Sequence, residues 1–166
     1  LYQELRKLGL IISFNSNGTL IDEKIADFLA KDPPRRINIT LYGASDETYA
    51  ELCGNPQGFT QVMRGVKLLQ ERGINVKFNC SLTPYNIHDL DAICKTAGRL
   101  SIPIEVGYYM FPPVRDNNRR NVRYRLAAED AAKARFHYEQ LGYGNQFKDM
   151  VKFSLESYRN YSQTRE

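Results

Sequence analysis

No run of about 18 apolar residues occurs in the sequence, so no membrane span is expected. Cysteine is scarce. Cys53, Cys80 and Cys94 are odd in number and widely spaced, which excludes a disulfide framework and shows no metal-ligand spacing. Cys80 and Cys94 fall on apolar faces and are expected to behave as small buried hydrophobes, which suits a reducing, cytoplasmic compartment. Only two histidines are present, His88 and His137, 49 positions apart and on predicted helices, so they read as surface residues rather than ligands. Neither a Gly-rich phosphate loop nor a nucleophile elbow appears, and no residue is assigned as catalytic or as a metal ligand. A strong charge bias is also missing. The net charge of +4 is too mild to imply nucleic acid without a localised patch. No internal repeat beyond a strand–helix rhythm and no low-complexity tract is seen. The chain begins at Leu1, without Met, inside an amphipathic segment unlike a signal peptide; residues upstream of it are expected.

What is present is an ordinary globular composition. The 166 residues are 42% hydrophobic and 25% charged, enough for one domain with a real core. The stretch 36–43 organises the rest. Ile37, Ile39 and Leu41 alternate with Asn38, Thr40 and Tyr42, and side chains alternate across a strand. Pro33-Pro34 stops the helix pattern before it, and Gly43-Ala44-Ser45 turns the chain into a new helix pattern after it. This spacing predicts a strand at 37–42 with one dry face and one polar face.

Three further strands have the same split character: 10–15, 74–82 and 102–109. Helices are predicted at 1–8, 22–31, 46–52, from Phe59 to Gly73, and at 87–100, with Ser45 as an N-cap and Asn17-Gly18-Thr19 as a turn. Strands alternating with helices imply a parallel sheet with right-handed crossovers. Doubly wound sheets bury both faces, and their strands read as continuous apolar runs. Here one face carries Ser13, Asn15, Asn38, Thr40, Lys77, Asn79, Ser81 and Glu105. The expected fold is therefore α/β, a partial (β/α) barrel of parallel strands with helices on the outer face, its polar side lining a wide lumen. Residues 1–112 would form this barrel. Residues 113–166 would form a basic loop and a helical tail, with helices at about 127–141 and 146–158.

The strings Asn15-Ser16-Asn17-Gly18-Thr19-Leu20-Ile21 and Ile37-Asn38-Ile39-Thr40-Leu41-Tyr42-Gly43-Ala44-Ser45-Asp46-Glu47-Thr48-Tyr49, followed by Gly58-Phe59, Gly65, Leu68-Leu69 and Gly73-Ile74, resemble the middle of a radical S-adenosylmethionine (SAM) enzyme. Phe111-Pro112-Pro113-Val114-Arg115 and the helix near Ala127-Ala128-Glu129-Asp130 resemble the branch with a C-terminal SPASM extension, which binds auxiliary iron–sulfur clusters. The resemblance implies a partial barrel of which these strands are the third to sixth. It implies a [4Fe–4S] cluster on a Cys-x-x-x-Cys-x-x-Cys loop, which reduces SAM to a 5′-deoxyadenosyl radical that abstracts hydrogen from a peptide or protein. That loop and the SAM-binding Gly-Gly-Glu-like motif are absent from the sequence. The chain thus resembles an internal fragment, expected to be inactive alone, unable to hold the cluster, and able to self-associate through an open barrel edge.

From the resemblance, Thr40, Asn79 and Ser81 are implied as SAM contacts, with Asn15 and Asn17 beside them. Thr40 could equally pack and hydrogen-bond within the barrel, and Asn17 has a sufficient role in its turn. Tyr109 and Arg115 are candidate substrate contacts, although Tyr108, Tyr109 and Phe111 could simply pack at a strand end. The cluster Arg115, Arg119, Arg120, Arg123 and Arg125 could bind phosphate, an acidic peptide or RNA, or be a solvated loop. Lys77 could be a Schiff-base lysine, but an ion pair with Glu105 across the lumen is the plainer account. The alternative function is a free-standing α/β ligand-binding module with an Arg-rich contact loop and no redox chemistry.

Overall fold

The computed structural model describes residues 1–109 and 123–163, which fall in two compact units, Leu1–Ala127 and Ala128–Glu166. In the first unit β1 (Ser13–Ser16), β2 (Arg36–Thr40), β3 (Val76–Ser81) and β4 (Ile104–Gly107) form one sheet in sequential order. All three neighbouring pairs are parallel. Parallel neighbours need a crossover, and helices supply it. Helix α1 (Tyr2–Lys7) precedes β1; α2 (Glu23–Ala30) links β1 to β2; α3 (Asp46–Cys53) and α4 (Gly58–Glu71) link β2 to β3; α5 (Leu90–Arg99) links β3 to β4. The predicted fold class is the one found.

Helices α2 and α3 start where the sequence offers caps. Asp22 Oδ1 accepts from the Ile25 N–H at 2.8 Å, and Ser45 Oγ accepts from the Thr48 N–H at 3.2 Å, each satisfying a donor that the first turn leaves free. Gly54 ends α3 at φ 67°, in the left-handed region that a side chain resists.

The dry layer lies on one side of the sheet. Ile37, Ile39, Leu41, Phe78 and Cys80 are all 2% exposed or less, and they are buried together with Val62, Val66 and Leu69 of α4 and Ile93 and Ala97 of α5. Each Ile, Leu, Val or Phe among these contributes about 1.5–3 kcal/mol on leaving water, so this layer holds the unit together. Helix α4 can lie close because Gly65 has no side chain: a Cβ there would stand 2.8 Å from the Gly18 carbonyl oxygen. Two ion pairs tie segments distant in sequence. Arg6 grips Asp32 with two donors, Nε to Oδ2 at 3.0 Å and Nη2 to Oδ1 at 2.7 Å, and Arg72 meets Asp27 at 2.6 Å.

Strand ends differ from the predicted ones. Leu10 and Ile11 lie outside β1 and are exposed, because β1 has no strand on its other side among the described residues to extend the ladder. Ile74 and Leu82 fall just outside β3, though Leu82 N–H still bonds the Gly107 carbonyl at 2.7 Å. Pro103 has no N–H to give, so β4 begins after it. The helix predicted at 87–100 opens as a 3₁₀ turn, Ile87–Asp89, before α5.

The second unit holds α6 (Ala128–Tyr143), a 3₁₀ turn (Gly144–Gln146) and α7 (Phe147–Gln163), as the helical tail predicts. Phe136 and Phe147 meet edge to face, ring centroids 4.6 Å apart. Among the described residues of this unit, Ala131, Ala134 and Phe147 are buried. Among the described residues no helix is long and apolar enough to cross a membrane.

Candidate functional site

The strand register turns the alternation of the sequence into a wall. Asn15 lies beside Asn38, and Asn38 beside Lys77. One step toward the C-terminal end of the strands, Thr40 lies beside Asn79 and Asn79 beside Glu105. The next step pairs Ser81 with Gly107. Paired strands run about 4.8 Å apart, so each row is a short ladder of polar groups on one face. These residues are half-buried or exposed, whereas the opposite face is dry. The Asn38 amide donates from Nδ2 to Asn15 Oδ1 at 2.8 Å. Asn38 Oδ1 is buried and has no hydrogen-bond partner among the described residues.

The structure therefore gathers Asn15, Thr40, Asn79 and Ser81 on a common wall, with Thr40 and Ser81 each the last residue of its strand. Asn17 stands apart: its Oδ1 accepts from the Thr19 N–H at 3.3 Å and from the Thr19 hydroxyl at 3.1 Å, which is turn chemistry. Tyr109 lies two residues past β4, 56% exposed, with the Arg125 guanidinium 5.8 Å from its ring centroid. Arg115, Arg119, Arg120 and Phe111 lie outside the described residues. Lys77 does pair with Glu105, but not across a lumen. Glu105 faces Asn79, so the pair joins adjacent strands of one wall. The Lys77 bond holds the Glu105 carboxyl below the usual carboxylate range, with Arg36 adding in the same direction.

A second cluster escaped sequence reasoning. Asp89 accepts from the Ala44 N–H at 2.9 Å and from the Thr48 hydroxyl at 2.7 Å. Asn86, fully buried, accepts from the Thr83 N–H at 2.7 Å and donates to the carbonyls of Tyr42 and Ser81, at 2.9 and 3.1 Å. These bonds lock the loops that leave β2 and β3 directly behind Thr40 and Ser81. The local signal was Thr83 with Asn86 three residues on, a common side-chain-to-backbone turn.

The cysteines do not converge. Cys80 is buried on the dry side of β3, Cys94 is half-buried on α5, contrary to full burial, and Cys53 is exposed at the end of α3. Burial pushes the Cys80 thiol up to about 12, away from the thiolate that a metal requires. No group of three or more His, Cys, Asp or Glu side chains among the described residues could hold a metal. The cysteines present do not fit an iron–sulfur cluster.

Residues 1–97 match the family model of the radical SAM superfamily. The chain belongs to the radical SAM superfamily. It is 32% identical over 94 residues to an AdoMet-dependent heme synthase of Oleidesulfovibrio alaskensis, a match covering 55% of the chain and 24% of that protein. It is 29% identical over 105 residues to an Fe-coproporphyrin III synthase of Methanosarcina barkeri, covering 63% of the chain and 26% of that protein. The matches thus span about a quarter of the length of these relatives. By fold it is similar to native anSMEcpe with bound AdoMet and Kp18Cys peptide, at TM-score 0.66 and 19% identity, covering 89% of this chain and 43% of that one. This likeness is one of fold, parallel strands in one sheet with helices between them, and the family match makes that sheet part of a radical SAM barrel. The matches establish the superfamily and leave its SPASM branch open.

Proposed function

We propose that this chain forms the SAM-holding side wall of a radical SAM enzyme, with residues 1–112 as barrel and 113–166 as a connecting segment. The observation that carries the reading is the register of Thr40, Asn79 and Ser81 on one polar face, at the C-terminal ends of β2 and β3. The donor and acceptor set suits the group. Two hydroxyls, two amides and the unpartnered Asn38 Oδ1 can meet a diol and a zwitterion. When bound and reduced at a cluster held by other residues, SAM supplies the hydrogen-abstracting chemistry. This wall's own work is binding and orientation. Thr40 and Ser81 offer hydroxyls that donate or accept, Asn79 sits between them, and Asn15 steers the Asn38 amide through their hydrogen bond. The loop lock of Asn86 and Asp89 keeps the strand ends fixed, so these groups wait in place rather than being ordered on binding.

A tetrapyrrole is the substrate class favoured by the heme and coproporphyrin synthases among the sequence relatives. A peptide or protein substrate is the second reading, favoured by the SPASM-like string Phe111-Pro112-Pro113-Val114-Arg115. A cytoplasmic setting accords with the three free thiols. The family match favours this reading over a module without redox chemistry.

Equilibrium dialysis of the full-length protein against SAM tests the wall. Thr40→Val removes the hydroxyl and keeps the shape, and should weaken SAM binding about tenfold, while Thr40→Ser should stay near wild type. Unchanged binding in Thr40→Val, Asn79→Ala and Ser81→Ala alike would show that SAM sits elsewhere.

A further inference from the structure

The loops beyond β3 and β4 carry an aromatic and cationic cluster at the same end of the sheet as Thr40 and Ser81. Tyr85 follows β3 by four residues, and Tyr109 follows β4 by two. At about 3.3–3.6 Å per residue, both stay within about 15 Å of the strand ends. The rings of Tyr85 and Tyr124 lie 5.7 Å apart. The Arg123 guanidinium stands 4.8 Å from the Tyr124 centroid and donates to its hydroxyl at 2.7 Å. Arg125 stands over Tyr109 at 5.8 Å.

Two features make this more than packing. First, each guanidinium is held against a ring rather than a carboxylate; neither arginine forms an ion pair among the described residues. A ring contact restricts a guanidinium; Arg123 gives one Nη2 donor to the Tyr124 hydroxyl and keeps its remaining N–H groups for a planar anion, and arginine binds carboxylates through two parallel bonds. Second, the rings are only partly covered. Tyr109 is 56% exposed, and Tyr85 and Tyr124 are half-buried. Exposed aromatic faces beside fixed guanidiniums match a flat, apolar ligand with carboxylates on its rim.

We propose that Arg123 and Arg125, backed by Tyr85, Tyr109 and Tyr124, form the rim that reads the carboxylates of a planar polycarboxylate substrate of the tetrapyrrole class. The proposal rests on the radical SAM reading and adds a specificity site to it. The arginines set which molecule is admitted and take no part in hydrogen abstraction.

The test uses the full-length protein with iron coproporphyrin III as probe, its tetramethyl ester as the uncharged control, and SAM titrated separately. Wild type should bind the acid at least tenfold more tightly than the ester. Arg123→Gln and Arg125→Gln should each weaken the acid about tenfold, leave the ester unchanged, and leave SAM affinity unchanged. Arg123→Lys should restore part of the loss, since it returns charge without the planar fork. Equal binding of acid and ester by wild type, which requires no variant to fold, overturns the proposal. So does wild-type affinity for the acid in both Gln variants. If wild type binds SAM but no porphyrin, the rim proposal fails while the SAM wall stands; if it binds the acid selectively but not SAM, the wall fails and the rim stands.

Discussion

The Thr48 hydroxyl, at the first turn of α3, donates to the Asp89 carboxylate at 2.7 Å across 41 positions of sequence. Asp89 also takes the Ala44 N–H, so one carboxylate, 15% exposed, ties the loop after β2 to the loop after β3. A Cβ at Gly43 would stand 2.5 Å from Thr48 Cγ2, so this close approach needs glycine there.

Asn86 is the other half of that lock, and its removal should be costly. Asn86→Ala leaves the Thr83 N–H and the Tyr42 carbonyl without their partner inside the protein. Each buried group left unmet costs about 1–3 kcal/mol, so a loss of about 2–4 kcal/mol is expected. Urea unfolding measures it, and a loss under about 0.5 kcal/mol, the size of an ordinary surface change, would mean that water replaces the side chain freely.

Gly58→Ala sets two effects against each other. Alanine favours a helix over glycine by about 0.5–1 kcal/mol. Yet a Cβ at Gly58 would lie 2.2 Å from Tyr49 Cδ1, and Tyr49 is 1% exposed. Overpacking of that kind costs about 1–3 kcal/mol, so net destabilisation is expected. Thermal melting decides the sign; a raised Tm would show that Tyr49 moves aside. Tyr49 is held there by its hydroxyl, which accepts from the Tyr42 N–H at 3.1 Å.

The Arg6 hydrogen bond holds the Asp32 carboxyl below its usual range. A carboxyl depressed in the folded state stabilises the fold above the pKa it has when unfolded, about 3.9, and loses that effect as pH falls through the folded value. Asp32→Asn should therefore be less stable than wild type at pH 7, and the two should converge below the carboxylate range. Denaturant midpoints at pH 7 and pH 2 check this; a gap that persists unchanged in acid would assign the effect to packing.

The thiols should react in order of exposure. Cys53 is exposed, whereas Cys80 is buried with its thiol pushed up to about 12 by desolvation, with Cys94 and Asp89 adding. A thiol reagent at pH 8 should modify Cys53 first and Cys80 only on global unfolding. Peptide mapping at early times reads the order, and rapid Cys80 labelling would reveal local opening of β3.

The sheet was legible because its two faces differ. Ile37, Ile39 and Leu41 against Asn38 and Thr40 give a period of two that only a half-covered strand produces. The same parity puts Thr40, Asn79 and Ser81 on one side from sequence alone. Strand ends were less legible, since a residue joins a strand only if a neighbouring strand takes its backbone: Leu10 and Ile11 have the composition, but among the described residues no strand flanks them, and the Leu10 N–H turns back to the Leu5 carbonyl instead. The Thr48–Asp89 half of the loop lock was illegible for another reason. Thr48 with Asp89, like Tyr85 with Tyr124, meets across some 40 residues through loop geometry, for which sequence has no period. The Lys77–Glu105 pair was found, but its partners sit on adjacent strands, because register and not the lumen brings them together.

The strict parity of β3 constrains how this protein can change over evolutionary time. Loss of a single codon inside Val76–Ser81 would swing every later side chain of the strand to the other surface, carrying wall residues into the oil and oily ones into the wall. Ligand preference can drift here by spelling changes alone, while gains and losses of length are confined to the segments between strands.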